Sequence, residues 1–161
     1  MSGSRLEVTD RASLDAACLA VLSATRHQLV IYMPVLETGQ LDTDAMTDAL
    51  RRIATGGRYA GIRILIHDAA RALRDSHRLI ALCQRLPSNV QLRVPQETRD
   101  LAYASAFLLN DAGGFLFRPD ARRIDARADL DAPAERAPLQ GYFDEVWERS
   151  LPATEIRPLG V

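Results

Sequence analysis

With 161 residues, 47% of them hydrophobic and 25% charged, the chain has the size and balance of one ordinary globular domain. A net charge of −1 excludes a global field that would draw it to nucleic acid or membrane, and the 6% of aromatic residues do not interleave with arginine into a base-stacking platform. All 20 basic residues are arginine, so no step can use lysine as Schiff base, phosphate clamp or general base.

Residues 1–9 are expected to be an N-terminal segment without the apolar stretch of a signal peptide. No run approaches the ~20 apolar residues of a membrane span, so the expected compartment is the cytoplasm. Leu14, Ala17, Cys18, Val21, Leu22 and Thr25 follow a helical stripe that Asp10 or Ser13 can cap. His27 closes that helix, where an imidazolium would favour the last carbonyls. Leu29 to Met33, ended by Pro34, is a short apolar run rich in β-branched residues and predicts a buried strand.

Met46, Ala49, Leu50 and Ile53 form a second helical stripe, with Asp42, Thr43 and Asp44 before it and Gly56-Gly57 after it. Ile62 to Ile66 predicts a second strand, with His67 and Asp68 just past its end. Leu79, Leu82, Cys83 and Leu86 form a third stripe, stopped by Pro87; Val90 to Val94 predicts a third strand, ended by Pro95. Strands alternating with helices imply βαβ units, hence a mainly parallel sheet flanked by helices. Cys18 and Cys83 match no metal or redox spacing and are expected to be small buried hydrophobes.

The alternation then stops. Ala104 to Leu109 and Phe115 to Arg118 flank Asn110-Asp111-Ala112-Gly113-Gly114, which predicts a late antiparallel hairpin and so a mixed sheet. Residues 119–138 interleave arginine and aspartate and are expected to be a solvated loop or edge strand, or an ordered arm offering arginines to an anion. Leu139, Tyr142, Phe143, Val146 and Trp147 predict a last helix with Pro138 in its first turn. Residues 151–161 are expected to be an irregular tail. The phosphate-binding glycine loops, the Gly-x-Ser-x-Gly elbow and the zinc-spaced His pair are all absent. Neither metal nor cofactor is expected.

Tyr103-Ala104-Ser105-Ala106-Phe107-Leu108-Leu109-Asn110 has the spacing and place of the His-x-Lys-x4-Asp motif of phospholipase D-like enzymes. There the His attacks phosphorus and the Lys holds phosphate oxygens. Here Tyr103 stands for His, Ser105 for Lys and Asn110 for Asp, so none matches by identity. The surrounding segments carry the resemblance: Gly61-Ile62-Arg63-Ile64-Leu65-Ile66 is similar to that superfamily's glycine-led strand, and Tyr142 to Ser150 to its closing Phe-x-x-x-Trp helix. Ile31 to Glu37, His77-Arg78-Leu79-Ile80, Arg85 to Ser88 and Phe117-Arg118-Pro119 resemble an uncharacterised bacterial family of degenerate phospholipase D-like domains, sometimes joined to an acetyltransferase. The resemblance spans about residues 10–150 and implies an α/β single half-domain.

On these grounds the chain is expected to be a non-catalytic phospholipase D-like binding or dimerisation module. Without His and Lys a phosphohistidine mechanism lacks both nucleophile and cation. Arg93, Arg99 or Arg118 could still hold an anion such as a phosphate, and the superfamily's face-to-face half-domains imply a symmetric homodimer. One alternative is a hydrolase with a rebuilt site around Glu37, His67, Asp68 and His77, with Arg78 beside it; Glu37 and Asp68 would then face each other across the sheet end. Another is a regulatory partner of an acetyltransferase, by analogy alone.

Overall fold

A computed structural model describes residues 2–158. After a 3₁₀ turn at Ser2–Ser4, the elements run β1 (Arg5–Leu6), α1 (Arg11–Ala24), β2 (Gln28–Met33), α2 (Asp44–Ala54), β3 (Gly61–Ile66), α3 (Ala69–Arg74), α4 (Arg78–Arg85) and β4 (Val90–Pro95). The second half runs α5 (Thr98–Leu101), β5 (Ala106–Asn110), β6 (Phe115–Arg118), β7 (Arg127–Asp129), α6 (Pro133–Glu148) and β8 (Ser150–Pro152). The strands form one sheet in the order β1-β7-β6-β5-β2-β3-β4-β8.

The sheet is mixed, as expected, but it is not mainly parallel. Only β2·β3 and β3·β4 are parallel; β1·β7, β6·β7, β5·β6, β2·β5 and β4·β8 are antiparallel. The βαβ reading holds for the central three strands, where helices supply the crossovers. The rest come from short segments that the hydrophobic pattern does not mark. Arg5–Leu6 pairs with β7, so the N-terminal segment enters the sheet. Ser150–Pro152 pairs with β4, so the start of the expected irregular tail is an edge strand. Pro152 is tolerated there because an edge position need not donate to a ladder.

Local chemistry explains the helix starts. Asp10 caps α1 by accepting from the Ser13 amide at 2.8 Å, while the Ser13 hydroxyl accepts from the Asp10 amide at 3.0 Å. Thr43 caps α2 by accepting from the Met46 amide at 3.2 Å. The last helix starts at Pro133 instead of Pro138, and Pro138 lies inside it. The Phe143 to Trp147 face anchors the helix strongly enough to carry that lost amide.

Strand alternation divides the buried residues between two faces. Leu29, Ile31, Met33, Ile62, Ile64, Ile66, Leu108 and Leu116 point to the side covered by α1, α2 and α4. Val30, Tyr32, Leu65, Phe107, Leu109 and Phe115 point to the other side, under Phe143, Val146 and Trp147 of α6. The hairpin turn is built on Asn110, which is fully buried. Its Oδ1 accepts from the amides of Ala112 at 2.9 Å and Gly114 at 2.8 Å, and its Nδ2 donates to the Val21 carbonyl at 3.0 Å. Position 114 must be glycine, since a Cβ there would lie 2.8 Å from Asn110 Nδ2.

Candidate functional site

Tyr32 is the penultimate residue of β2, opposite Leu65 on one side and Phe107 on the other. Its side chain is fully buried, and its hydroxyl lies 2.8 Å from His67 Nε2 and 3.3 Å from the Asp100 carbonyl oxygen, to which it can donate. Burial raises the Tyr32 phenol above its ordinary value, and nearby Tyr142 and Asp100 add to the rise. His67 sits just past β3, at the carboxyl end of the parallel strands, where open α/β sheets place ligands. Burial lowers its pKa, against a smaller opposing pull from Asp100. Its ordinary value is near 6.5, so His67 is neutral at pH 7.

Around this pair the rings of Tyr32, Tyr103, Phe107 and Tyr142 pack together, with centroids 5.1 Å apart for Tyr32–Tyr103 and 4.5 Å apart for Tyr103–Tyr142. Beside them the carboxylate of Asp100, only 1% exposed, takes two bonds from Arg149, at 2.7 Å from Nε and 2.8 Å from Nη2. Those bonds outweigh burial and hold Asp100 below the usual carboxylate range. Arg149 also reaches Glu97 at 3.4 Å, and Glu97 binds Arg99 at 2.7 Å. Every charge in this cluster thus has a partner within the chain.

The three motif positions do not converge on a point. Tyr103 packs its ring into the cluster, with its hydroxyl raised by burial. The Ser105 hydroxyl donates to the Pro119 carbonyl at 2.7 Å. Asn110 lies at the far end of β5, on the order of 15 Å along the strand from Ser105.

Of the other sequence candidates, Glu37 and Asp68 meet at Arg71 past the ends of β2 and β3, and the rest are spread around the sheet. Glu37 is exposed and pairs with Arg71 at 3.4 Å. Asp68 caps α3 through the Arg71 amide at 2.9 Å. His77 is 2% exposed and caps α4: Nδ1 accepts from the Leu79 amide at 3.0 Å, so Nε2 carries the proton that it gives to the Gln40 carbonyl at 2.7 Å. Arg78 binds Asp44 at 2.7 Å on the helical surface. Arg93 donates to the Trp147 carbonyl at 2.8 Å and lies 4.5 Å from the centre of its ring, holding the end of α6. Arg118 faces the opposite side of the sheet from Tyr103. Of all these, His67 and Tyr103 are brought together around Tyr32, with Arg99 at the rim, and Glu37 and Asp68 are brought together on Arg71.

The Arg/Asp-rich stretch contributes β7, and its arginines pair locally: Arg122 with Asp120 at 3.3 Å, Arg123 with Asp125 at 3.5 Å and Arg127 with Glu135 at 3.7 Å. Burial pushes the thiols of Cys18 and Cys83 up to about 12, so neither is a ready thiolate. Among the described residues no group of three or more His, Cys, Asp or Glu is placed to hold a metal, and no helix is long and apolar enough to cross a membrane.

A domain of unknown function, DUF7931, matches residues 10–159. The chain belongs to the DUF7931 family. No curated protein matches its sequence. The DUF7931 fold resembles that of Nuc, a phospholipase D family member from Salmonella typhimurium, with a TM-score of 0.59 and 9% identity over 86% of this chain and 90% of that one. NucT from Helicobacter pylori gives a TM-score of 0.58 and 11% identity over 89% and 94%. Phosphatidylserine synthase from Haemophilus influenzae Rd KW20 gives 0.60 and 14% over 89% of this chain and 38% of that one. TrmBL2, an archaeal chromatin protein described with a novel mode of DNA binding, gives 0.60 and 13% over 87% and 50%. The chain thus spans about half of TrmBL2 and nearly all of Nuc and NucT. At these identities the likeness shows the fold alone, and that fold is phospholipase D-like.

Sequence reasoning missed Tyr32, Asp100, Tyr142 and Arg149. Tyr32 is hidden in an apolar run, and Asp100 and Arg149 are 49 residues apart with no local signal that joins them. The one usable hint was a tyrosine inside the predicted strand, since a buried phenol needs a hydroxyl partner.

Proposed function

We propose that this DUF7931 domain is a non-catalytic phospholipase D-like module that binds or pairs instead of cleaving phosphodiesters. The position of Tyr103 carries the reading. A phenol, packed against Tyr32 and Tyr142 and raised by burial, stands where the superfamily places its imidazole nucleophile. The imidazole of this cluster, His67, is hydrogen-bonded to Tyr32, and its guanidinium, Arg149, is bonded to Asp100. A phosphoryl transfer site needs a free nucleophile and a free cation together. The rebuilt alternative needs Glu37, His67, Asp68 and His77 free to act together; Glu37 and Asp68 share Arg71, His67 bonds Tyr32 and His77 serves the backbone, which favours structural roles.

Hydrolysis of a generic aryl phosphodiester tests this reading. Release at the buffer rate is expected; turnover that disappears in His67→Ala or His77→Ala overturns it. The module is further proposed to act as a symmetric homodimer, as the superfamily's paired half-domains imply. Light scattering at micromolar concentration is expected to give twice the chain mass, and a monomer mass would remove this part. The acetyltransferase partner implied by the resemblance is tested by co-purification from the native cell, where its absence counts against it.

A further inference from the structure

At the end of the sheet away from His67, the starts of β2, β3 and β4 leave a trough beside α6. Gln28 pairs in register with Gly61, Val30 with Arg63, and Arg63 with Gln91, so these residues share the face that α6 covers. Gly61 leaves the floor bare, and a Cβ there would meet only the Asn89 carbonyl oxygen, at 3.9 Å. The wall is a rail of side chains along α6. Arg136, Gln140 and Asp144 stand four residues apart, with Arg136 Nη2 donating to Gln140 Oε1 at 2.9 Å and Gln140 Nε2 to Asp144 Oδ1 at 2.8 Å. The trough encloses about 440 Å³, within the roughly 300–1,000 Å³ of small-molecule sites.

Two arginines and two aspartates line it, so its formal charge is zero. Asp111 is committed to the fold, accepting from the amides of Arg26 and His27 at 2.8 Å and of Gln28 at 3.1 Å. Arg136 Nε donates to the Asn110 carbonyl at 2.7 Å, and both Asp111 and Asp144 lie within its electrostatic reach. Arg63 lies 5.3 Å from the centre of the Trp147 ring. Among the described residues, the side chains of Arg63 and Gln91 make no hydrogen bond or ion pair.

We infer that this trough binds a neutral saccharide of one or two rings. An anion resting on Arg136 would meet the like charges of Asp111 and Asp144. A cation would meet Arg63 and Arg136 in the same way. An uncharged polyol suits both signs, since each hydroxyl donates and accepts. The amides of Gln28, Gln91 and Gln140 and the guanidinium of Arg63 each offer polar atoms side by side, which two neighbouring ring hydroxyls can engage together. The C–H face of the ring would lie on Val30, Ala60 and Gly61. The site goes beyond the proposed reading of the Tyr103 end and does not depend on it, because the two lie at opposite ends of the strands.

The test is a titration of the full ¹⁵N-labelled chain, followed by amide NMR shifts, with glucose, galactose, mannose, maltose, lactose and sucrose. Glucuronate and inorganic phosphate are the charged comparisons. Two variants accompany the wild type. Gly61→Phe fills the trough from a position with room for a side chain, and Gln91→Ala removes a side chain that has no partner to lose. At least one neutral sugar is expected to bind with a Kd on the order of 1 mM or tighter, shifting Gly61 and the side-chain amides of Gln28, Gln91 and Gln140. Gly61→Phe should abolish those shifts, and Gln91→Ala should weaken binding about threefold or more. If Gly61→Phe does not fold, Gln91→Ala decides alone. No response to any of these sugars at about ten times that Kd overturns the site. So does a response that both variants keep unchanged, or tighter binding of glucuronate or phosphate in the trough than of every neutral sugar. Phosphodiesterase turnover with sugar binding intact would remove the non-catalytic reading and leave this site standing.

Discussion

The two faces of the sheet meet the same problem, a charge buried at the end where the parallel strands finish, and answer it differently. Under α6, Asp100 is 1% exposed and receives two bonds from Arg149, while Tyr32 and His67 satisfy each other across 2.8 Å. Under α1, Arg118 is 7% exposed and has only a backbone carbonyl. The first arrangement is closed, because every polar group already has its partner and little is left to engage a ligand. The second is open, because a charge remains to be matched. The contrast separates a cluster whose charges are paired from a face that holds an unpaired guanidinium.

Substitutions can break or sharpen that contrast. The largest effect is expected from Trp147→Ala, which removes the 2%-exposed ring that stacks on Phe143 and supports Arg93. A loss of about 3–5 kcal/mol is expected in urea unfolding. A loss below about 1 kcal/mol would mean that the α6 face is not the packed surface described.

Asp100→Asn comes next, because it leaves the Arg149 guanidinium facing a neutral amide. Its signature is pH dependence. The folded Asp100 titrates below the ordinary carboxylate value, so the unfolded chain takes up the proton first as the medium acidifies. The stabilisation is complete above the unfolded value of about 3.9 and is lost as pH falls through the lower folded value. Asp100→Asn should therefore lower Tm at pH 7 and flatten that part of the acid limb. An acid limb identical to wild type would show that the pair does not close the site.

Arg118→Met tests the other half of the contrast. Replacing a buried cation that lacks a counter-ion with an apolar side chain of similar length should cost less than Asp100→Asn, within about 1 kcal/mol of wild type. A large loss would show that the Arg123 carbonyl alone satisfies Arg118. The smallest effect is expected at His67. Its lowered pKa means that the unfolded chain binds a proton that the folded chain resists, so stability falls as pH drops below about 6.5 toward the folded value. His67→Gln should remove that slope, and a persisting slope would assign it to another group.

These contrasts also explain what could be read from the sequence. The helices at residues 11–24, 44–54 and 78–85 and the strands at 28–33, 61–66 and 90–95 were legible because long stretches repeat a helical or strand pattern and end at Pro, Gly or a capping residue. The hairpin was legible from Asn110 to Gly114. The sheet's antiparallel margins were not, because β1, β7 and β8 are two or three residues long and largely polar or exposed. Register with a neighbour makes them strands, and no single segment carries that information. The site divided in the same way. His67 stood out as a histidine past a strand end, whereas Asp100 and Arg149 are defined only by meeting each other. His77 drew the same attention as His67, yet both its nitrogens serve the backbone.

The central claim is that the phospholipase D position no longer performs covalent chemistry, and intact-protein mass after incubation with an excess of an activated aryl phosphodiester tests it most directly. The account predicts an unmodified chain mass at every time point, together with no aryl alcohol released above the buffer rate. A phosphoryl adduct that forms, turns over and maps to His67 or His77 would contradict it.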